Sequence, residues 1–191
     1  LGLVYAARVG ARTGGDEADL DRAIEHLERA RKPLSPDPAL YLTLGRLYLT
    51  TENPDQAIAI LTEVIEAEPQ FADALALLAQ AHESKGDWAE ASAVDERAVR
   101  VGRQRARYRR QLANALMNAD QPQRALEVLR DLVGFRPDDA AAWFTLSGLE
   151  FQQRNPGEAE RAVRRVIELE PEGLRGPYLL TQILAAQSRY Q

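Results

Sequence analysis

Residues 38–71 read PALYLTLGRLYLTTENPDQAIAILTEVIEAEPQF, and this stretch decides the fold because the rest of the chain copies it. Moving the window by 34 residues brings its skeleton back. Gly45 is followed at that interval by Ala79, Ala113, Ser147 and Thr181, and Ala57 by Ala91, Ala125 and Ala159. Leu44, Leu78, Leu112, Leu146 and Leu180 keep the same step, and Pro69, Pro137 and Pro171 fall on the same grid. A strict period of this length denotes one supersecondary unit stacked on itself.

Inside the window the spacing predicts two helices. Asp37-Pro38 supplies an N-cap and a first-turn proline, ahead of an apolar stripe of Leu40, Leu44 and Leu47 with Tyr41 and Tyr48. Asn53-Pro54 repeats the capping signature and opens a second helix, whose apolar face is Ala57, Ile58, Leu61, Val64 and Ile65 and which Pro69 closes. Gly45 and Ala57 are placed where the two antiparallel helices cross. A larger side chain there would overpack the crossing at a cost of about 1–3 kcal/mol.

The second unit thus shows Tyr41, Leu44, Gly45, Tyr48, Ala57, Leu61 and Pro69, and the fifth Trp143, Leu146, Ser147, Glu150, Ala159, Val163 and Pro171. This resembles the tetratricopeptide repeat family, whose signature is W-x2-L-G-x2-Y, then A-x3-F, then P. The resemblance covers essentially the whole chain. It implies an all-α, right-handed solenoid of antiparallel helix pairs wound as a superhelix, in one array over residues 1–191. The units fall at about 1–37, 38–71, 72–105, 106–139 and 140–173, with a partial sixth over 174–191. The first carries a nine-residue insertion around Arg12 to Arg22, because Gly2 to Ala23 spans 21 residues where Gly45 to Ala57 spans 12. There Gly14-Gly15 supplies a break, Asp16 caps a lengthened second helix, and Ala23, Leu27 and Ala30 match Ala57, Leu61 and Val64. In unit three His82 replaces the second aromatic and Arg103 the proline, so Gly102 is expected to end that helix in a left-handed cap. In unit four Arg109 occupies the first aromatic position. Either Tyr108 turns in to compensate, or Arg109 lays its stem over apolar surface with its head in water. Irregularity is expected at the junction of these two units.

Composition is ordinary for a folded protein, with 45% hydrophobic and 28% charged residues and no Cys. The chain opens and closes in mid-unit, which reads as a segment of a longer protein. Apolar runs such as Ala74 to Ala79 are far too short to span a membrane, so no insertion by this segment is expected. Lys32 and Lys85 are the only lysines among 24 basic residues, a coding bias that suits a GC-rich bacterial genome. The compartment stays open between cytoplasm and periplasm.

No catalytic constellation, cofactor motif or metal site emerges. His26 and His82 stand alone, one on a half-exposed helix face and one at a packing position. Paired carboxylates such as Glu66 and Glu68, or Asp138 and Asp139, fall at helix ends. Gly14-Gly15 is no phosphate loop. The chain therefore reads as a non-enzyme. A rival reading makes it the recognition arm of a larger enzyme or export machine with its chemistry elsewhere.

Family members line a concave groove with the first helices of successive units. Carried over, the resemblance places Leu42, Arg46 and Leu49 of unit two and Gln80 of unit three in that groove. Arg107, Arg110 and Asn114 follow from unit four, Phe144 and Phe151 from unit five, and Tyr178 and Gln182 from unit six. Leu42, Leu49, Phe144, Phe151 and Tyr178 lie off the packing stripe. They read either as anchors for a bound polypeptide or as contacts to neighbouring units. Arg110 and Asn114 imitate half of the clamp by which some family members grip a C-terminal carboxylate. The neighbouring pairs, Ala76 with Gln80 and Phe144 with Gly148, do not complete it.

Charge falls in blocks within a chain of net charge −5. Between Leu47 and Ser84 there are seven acids and no Lys or Arg; between Arg97 and Ala119 there are seven arginines and no acid. The function expected is a non-catalytic scaffold that holds a partner polypeptide in its groove, the partner offering an acidic segment and apolar anchors. Nucleic-acid binding through the arginine block is disfavoured by the acidic balance and by the scarcity of stacking aromatics, Tyr108 alone being interleaved.

Overall fold

The computed structural model describes residues 17–32 and 37–188. Among them are ten helices: α1 Glu17–Ala30, α2 Pro38–Thr50, α3 Pro54–Ala67, α4 Ala72–Lys85, α5 Trp88–Val101, α6 Ala106–Asn118, α7 Pro122–Phe135, α8 Ala140–Gln152, α9 Pro156–Leu169 and α10 Arg175–Ser188. Every regular element described is an α-helix, as the period predicts. The chain divides into two compact units, Leu1–Arg103 and Gln104–Gln191.

In the first unit each helix packs on the next from α1 to α5, and α2 also meets α4. In the second, each packs on the next from α6 to α10, and α8 also meets α10. Contacts between successive helices, and between the first helices of successive pairs, are those of a solenoid-type stack. The crossings carry the small residues that the period places there. A Cβ added to Gly45 would lie 2.9 Å from Leu61 Cδ2 and 3.0 Å from its Cγ. At the equivalent crossing in the second unit the Ser147 hydroxyl donates to the Ala159 carbonyl at 2.7 Å. Ala57, Ala91, Ala125 and Ala159 are all fully buried.

Caps follow the sequence in part. Asp37 accepts from the Ala39 N–H and Asp139 from the Ala142 N–H, each at 3.0 Å. Asn53 does not cap α3, contrary to the sequence reading. Its side-chain amide turns back and donates to the Thr51 carbonyl at 2.7 Å. The turns within pairs share a feature with the period of the repeat: Glu52 (φ 56°), Gly86 (φ 79°), Asp120 (φ 56°) and Arg154 (φ 61°) are all left-handed.

Two further expectations are corrected. Gly102 follows the end of α5 but has φ −97°, and its N–H bonds the Ala98 carbonyl at 2.8 Å, so the cap is not left-handed. Helix α1 is described over Glu17–Ala30, and its expected lengthening toward Asp16 lies outside the described residues; it runs seven residues past Ala23 where α3 runs ten past Ala57. It therefore ends early, at Ala30, which is exposed where Val64 is buried. The Gly14-Gly15 break, the Asp16 cap and most of the insertion lie outside the described residues. At the aromatic gap in unit four, Tyr108 does turn in and is fully buried. Arg109 sends its head to α7 rather than to water, pairing with Asp131 at 2.7 Å and lying 5.1 Å over the Phe135 ring.

Candidate partner-binding surface

The residues expected to face a partner lie on the first helix of each pair, α2 and α4 in the first compact unit and α6, α8 and α10 in the second. On α2, Leu42 and Leu49 are half-buried and Arg46 is exposed; on α4, Gln80 is exposed. The hydroxyls of Thr50 and Ser84 donate to carbonyls one turn back, Arg46 at 2.9 Å and Gln80 at 2.9 Å. One acid of the acidic block, Glu63, is already engaged at the other side of these helices. Arg31 donates to Glu28 at 2.8 Å and to Glu63 at 2.6 Å, and the Tyr48 hydroxyl donates to Glu28 at 2.6 Å. Burial, and then the Glu28 carboxylate, push the Tyr48 phenol up to about 12. This polar clasp ties α1 to α2 and α3, and it is structural.

On α6 of the second unit Arg107, Arg110 and Asn114 are exposed. Arg107 lies 4.8 Å over the Tyr108 ring and donates to its hydroxyl at 3.0 Å. Arg110 reaches the α8 cap residue Asp139 at 3.6 Å. The arginine block is thus partly committed to its own helices. On α8, Phe144 and Phe151 are half-buried and pack, with Leu180, against Ala159, Val163, Leu179 and Ile183. These two phenylalanines join α8 to α9 and α10, which is the neighbour-contact reading of the pair. Tyr178 on α10 stays 69% exposed, with Gln182 one turn on. Arg175, one turn before Tyr178, lies 5.0 Å over the Phe144 ring and pairs with Glu170 at 2.7 Å. The face therefore carries a cation and an aromatic side by side. A cavity of about 470 Å³, toward the other end of α10, is lined by Phe151, Gln152, Arg154, Pro156, Ala186 and Gln187.

Comparison with known proteins fits this geometry. A tetratricopeptide repeat profile matches residues 42–107 and 110–173, more than half of the chain. The chain belongs to the tetratricopeptide repeat family. Solved structures of similar fold include MamA residues 41 to the end from Desulfovibrio magneticus RS-1, with 18% identity over 91% of this chain and 97% of that one at a TM-score of 0.74. A second MamA structure shows 20% identity over 82% of this chain and 91% of its own, at a TM-score of 0.73. YrrB, described as a tetratricopeptide repeat protein with an unusual peptide-binding site, shows 21% identity over 88% and 84% at a TM-score of 0.67. Among curated protein sequences none matches.

Tetratricopeptide repeat proteins are in general protein–protein interaction scaffolds, typically without catalysis of their own. Among the described residues no group of His, Asp and Glu is placed to hold a metal, and no helix is long and apolar enough to cross a membrane. Two buried acids escaped the sequence reading in different ways. Glu150 stands where the repeat signature has its second aromatic, and it is 1% exposed in the repeat core. It is held there by Arg130 at 2.7 Å and by the Asn155 amide at 2.9 Å. Asp95 was missed altogether. It stands 34 residues after Leu61 and 34 before Leu129, at the large apolar position of unit three, and is fully buried. Reading that column of the repeat would have found it.

Proposed function

We propose that this tetratricopeptide repeat array, residues 1–191, is a non-catalytic scaffold. It holds a partner polypeptide in the groove lined by its first helices, and the partner brings acidic residues and apolar anchors. The observation that carries this reading is Tyr178. A large aromatic is left mostly exposed on α10, on the same face as Arg175, whose guanidinium stacks on Phe144. An exposed aromatic beside a cation suits a partner that presents an apolar side chain next to a carboxylate. Arg107, Arg110 and Asn114 on α6 supply further donors in the same compact unit. Phe144 and Phe151 contribute as the floor of this surface rather than as free anchors.

The test uses a peptide selected from a random library on the intact chain. Tyr178→Ser should weaken its capture with helicity unchanged. Arg107→Glu with Arg110→Glu should slow association, and the loss should shrink as salt rises because screening has already removed the attraction. Arg97→Glu with Arg100→Glu, on the second helix α5, makes the same change in net charge and should do much less. Equal loss from both pairs would show that overall charge alone matters and would sink the groove reading.

A further inference from the structure

The same fold treats its two buried acids in opposite ways. Glu150 has an arginine and an amide on its carboxylate. Asp95 has neither: both of its oxygens are buried with no hydrogen-bond partner. On the facing helix α4, the Glu83 Oε1 atom is also buried and without a partner. An ionised carboxylate left in that state is among the costliest arrangements in a protein interior, and the group avoids it by keeping its proton. We infer that Asp95 keeps its proton in the folded protein, facing a helix that carries a second unpartnered carboxyl at Glu83, so that the α4–α5 pair loosens when Asp95 gives that proton up.

Among the described residues no cation forms an ion pair with Asp95. In the first compact unit α4 is the helix packed on α5, and Glu83 is the charged group of α4 that acts on Asp95. The other charged or titratable groups of α4 include His82 and Lys85, neighbours of Glu83 in the chain that are directed at Asp87 and Asp55. Asp73 is in its first turn. His82 Nδ1 lies 3.8 Å from Asp87, and Lys85 pairs with Asp55 at 2.8 Å and approaches Asp87 at 3.8 Å. On α5 itself the positions one turn from Asp95 are Ala91, Ser92, Ala98 and Val99, none of them charged. The Ser92 hydroxyl is spent on the Ala89 carbonyl at 2.9 Å. Burial, and then the Glu83 charge, push the Asp95 carboxyl from 3.8 up to about 8, and burial raises Glu83 as well.

The direction of the effect follows from linkage. Between the ordinary and the raised value the folded state holds a proton that the unfolded state has released, so stability falls as pH rises. The stabilisation is complete below pH 4 and is lost by the time the pH has passed about 8. Within that window each pH unit lowers the folded-to-unfolded ratio by about tenfold for this one proton. Near neutrality the α4–α5 pair is therefore poised, and Glu83 sits on the helix that also carries the groove residue Gln80. The inference does not depend on which partner the groove takes.

The experiment is denaturation of the full chain between pH 5 and pH 9, together with backbone amide exchange, for wild type, Asp95→Leu, Asp95→Asn and Glu83→Gln. Leucine restores the residue type of the equivalent units, and asparagine keeps the shape if leucine repacks the site. The advantage of Asp95→Leu over wild type should grow by about tenfold in equilibrium constant per pH unit up to about pH 8 and then level off. Asp95→Asn should lose the same pH slope, and Glu83→Gln should move the transition to lower pH. In wild type, the amides of α4 and α5 should lose protection above neutrality, relative to those of α7, after correction for intrinsic exchange. Denaturation curves of wild type and both Asp95 variants that run parallel across the whole range would overturn the inference. So would uniform loss of protection along the chain, and a transition unmoved in Glu83→Gln would overturn the part given to Glu83.

Discussion

Replacing Gly86 by Ala and Arg154 by Gly should shift stability in opposite directions, although the two residues do the same job, each in the turn of its own repeat. Each of the four repeats whose turn is described passes from its first helix into its second through one left-handed residue, at positions 52, 86, 120 and 154. That conformation costs an L-residue about 1–2 kcal/mol, and glycine escapes the cost at the expense of a looser unfolded chain, about 0.5–1 kcal/mol. At Gly86 a new Cβ would meet nothing within 4 Å, so steric overlap cannot confuse the result and the backbone term acts alone. Gly86→Ala should therefore cost about 1 kcal/mol. Arg154→Gly should gain somewhat less, since the left-handed strain is relieved while the unfolded chain is loosened. Asp120→Gly should gain least, because a short polar side chain tolerates this region. For a chain of this size 1 kcal/mol corresponds to about 2–4 °C in Tm, which thermal melts at fixed pH resolve easily. Amide exchange in α4 and α5, or in α8 and α9, locates the change in the affected pair. A neutral Gly86→Ala combined with a destabilising Arg154→Gly would refute the argument that the turn conformation, rather than side-chain contact, sets these positions.

Two further outcomes test the packing. Ala125→Leu should overpack the fully buried α6–α7 crossing and lose about 1–3 kcal/mol, whereas Glu127→Ala on the exposed face should change stability by less than about 0.5 kcal/mol in the same urea titration. Phe144→Ser with Phe151→Ser should lower the unfolding midpoint of the second compact unit by removing apolar contacts to Leu179 and Ile183, on the order of 2 kcal/mol or more for the pair. An unchanged melt would return both rings to the role of free anchors.

The repeat was legible because it is written redundantly. Leu44, Ala57 and a small residue at the position of Gly45 recur in register, and each recurrence repeats the same steric demand at the same crossing, so tertiary context had nothing to override. The turns were only partly legible. Their left-handed residue is a glycine at position 86 alone, while Glu52, Asp120 and Arg154 fill the same conformation with residues that give no such signal. Groove anchors were harder still. The face of a first helix that would point at a partner also borders the next first helix, so Phe144 and Phe151 satisfy both descriptions until Leu179 and Ile183 are seen against them.

Asp95 shows where reading a repeat by its matches fails. A search for the recurring skeleton passes over the column at 61, 95, 129 and 163 as Leu, Asp, Leu and Val, and three agreements mask the one exception. Physically the exception outweighs the agreements. Burying one more leucine in an array of such units adds about 1.5–3 kcal/mol to a total that has many such terms. Holding a carboxyl at about 8 against an ordinary 3.8 withdraws on the order of 4 kcal/mol at pH 7. That loss falls on a single helix pair, because in a stacked repeat each unit is secured only by its neighbours. The position that breaks the pattern is therefore the place where the stability of the stack responds to its surroundings, and the column of a repeat that varies in charge is the one to read first.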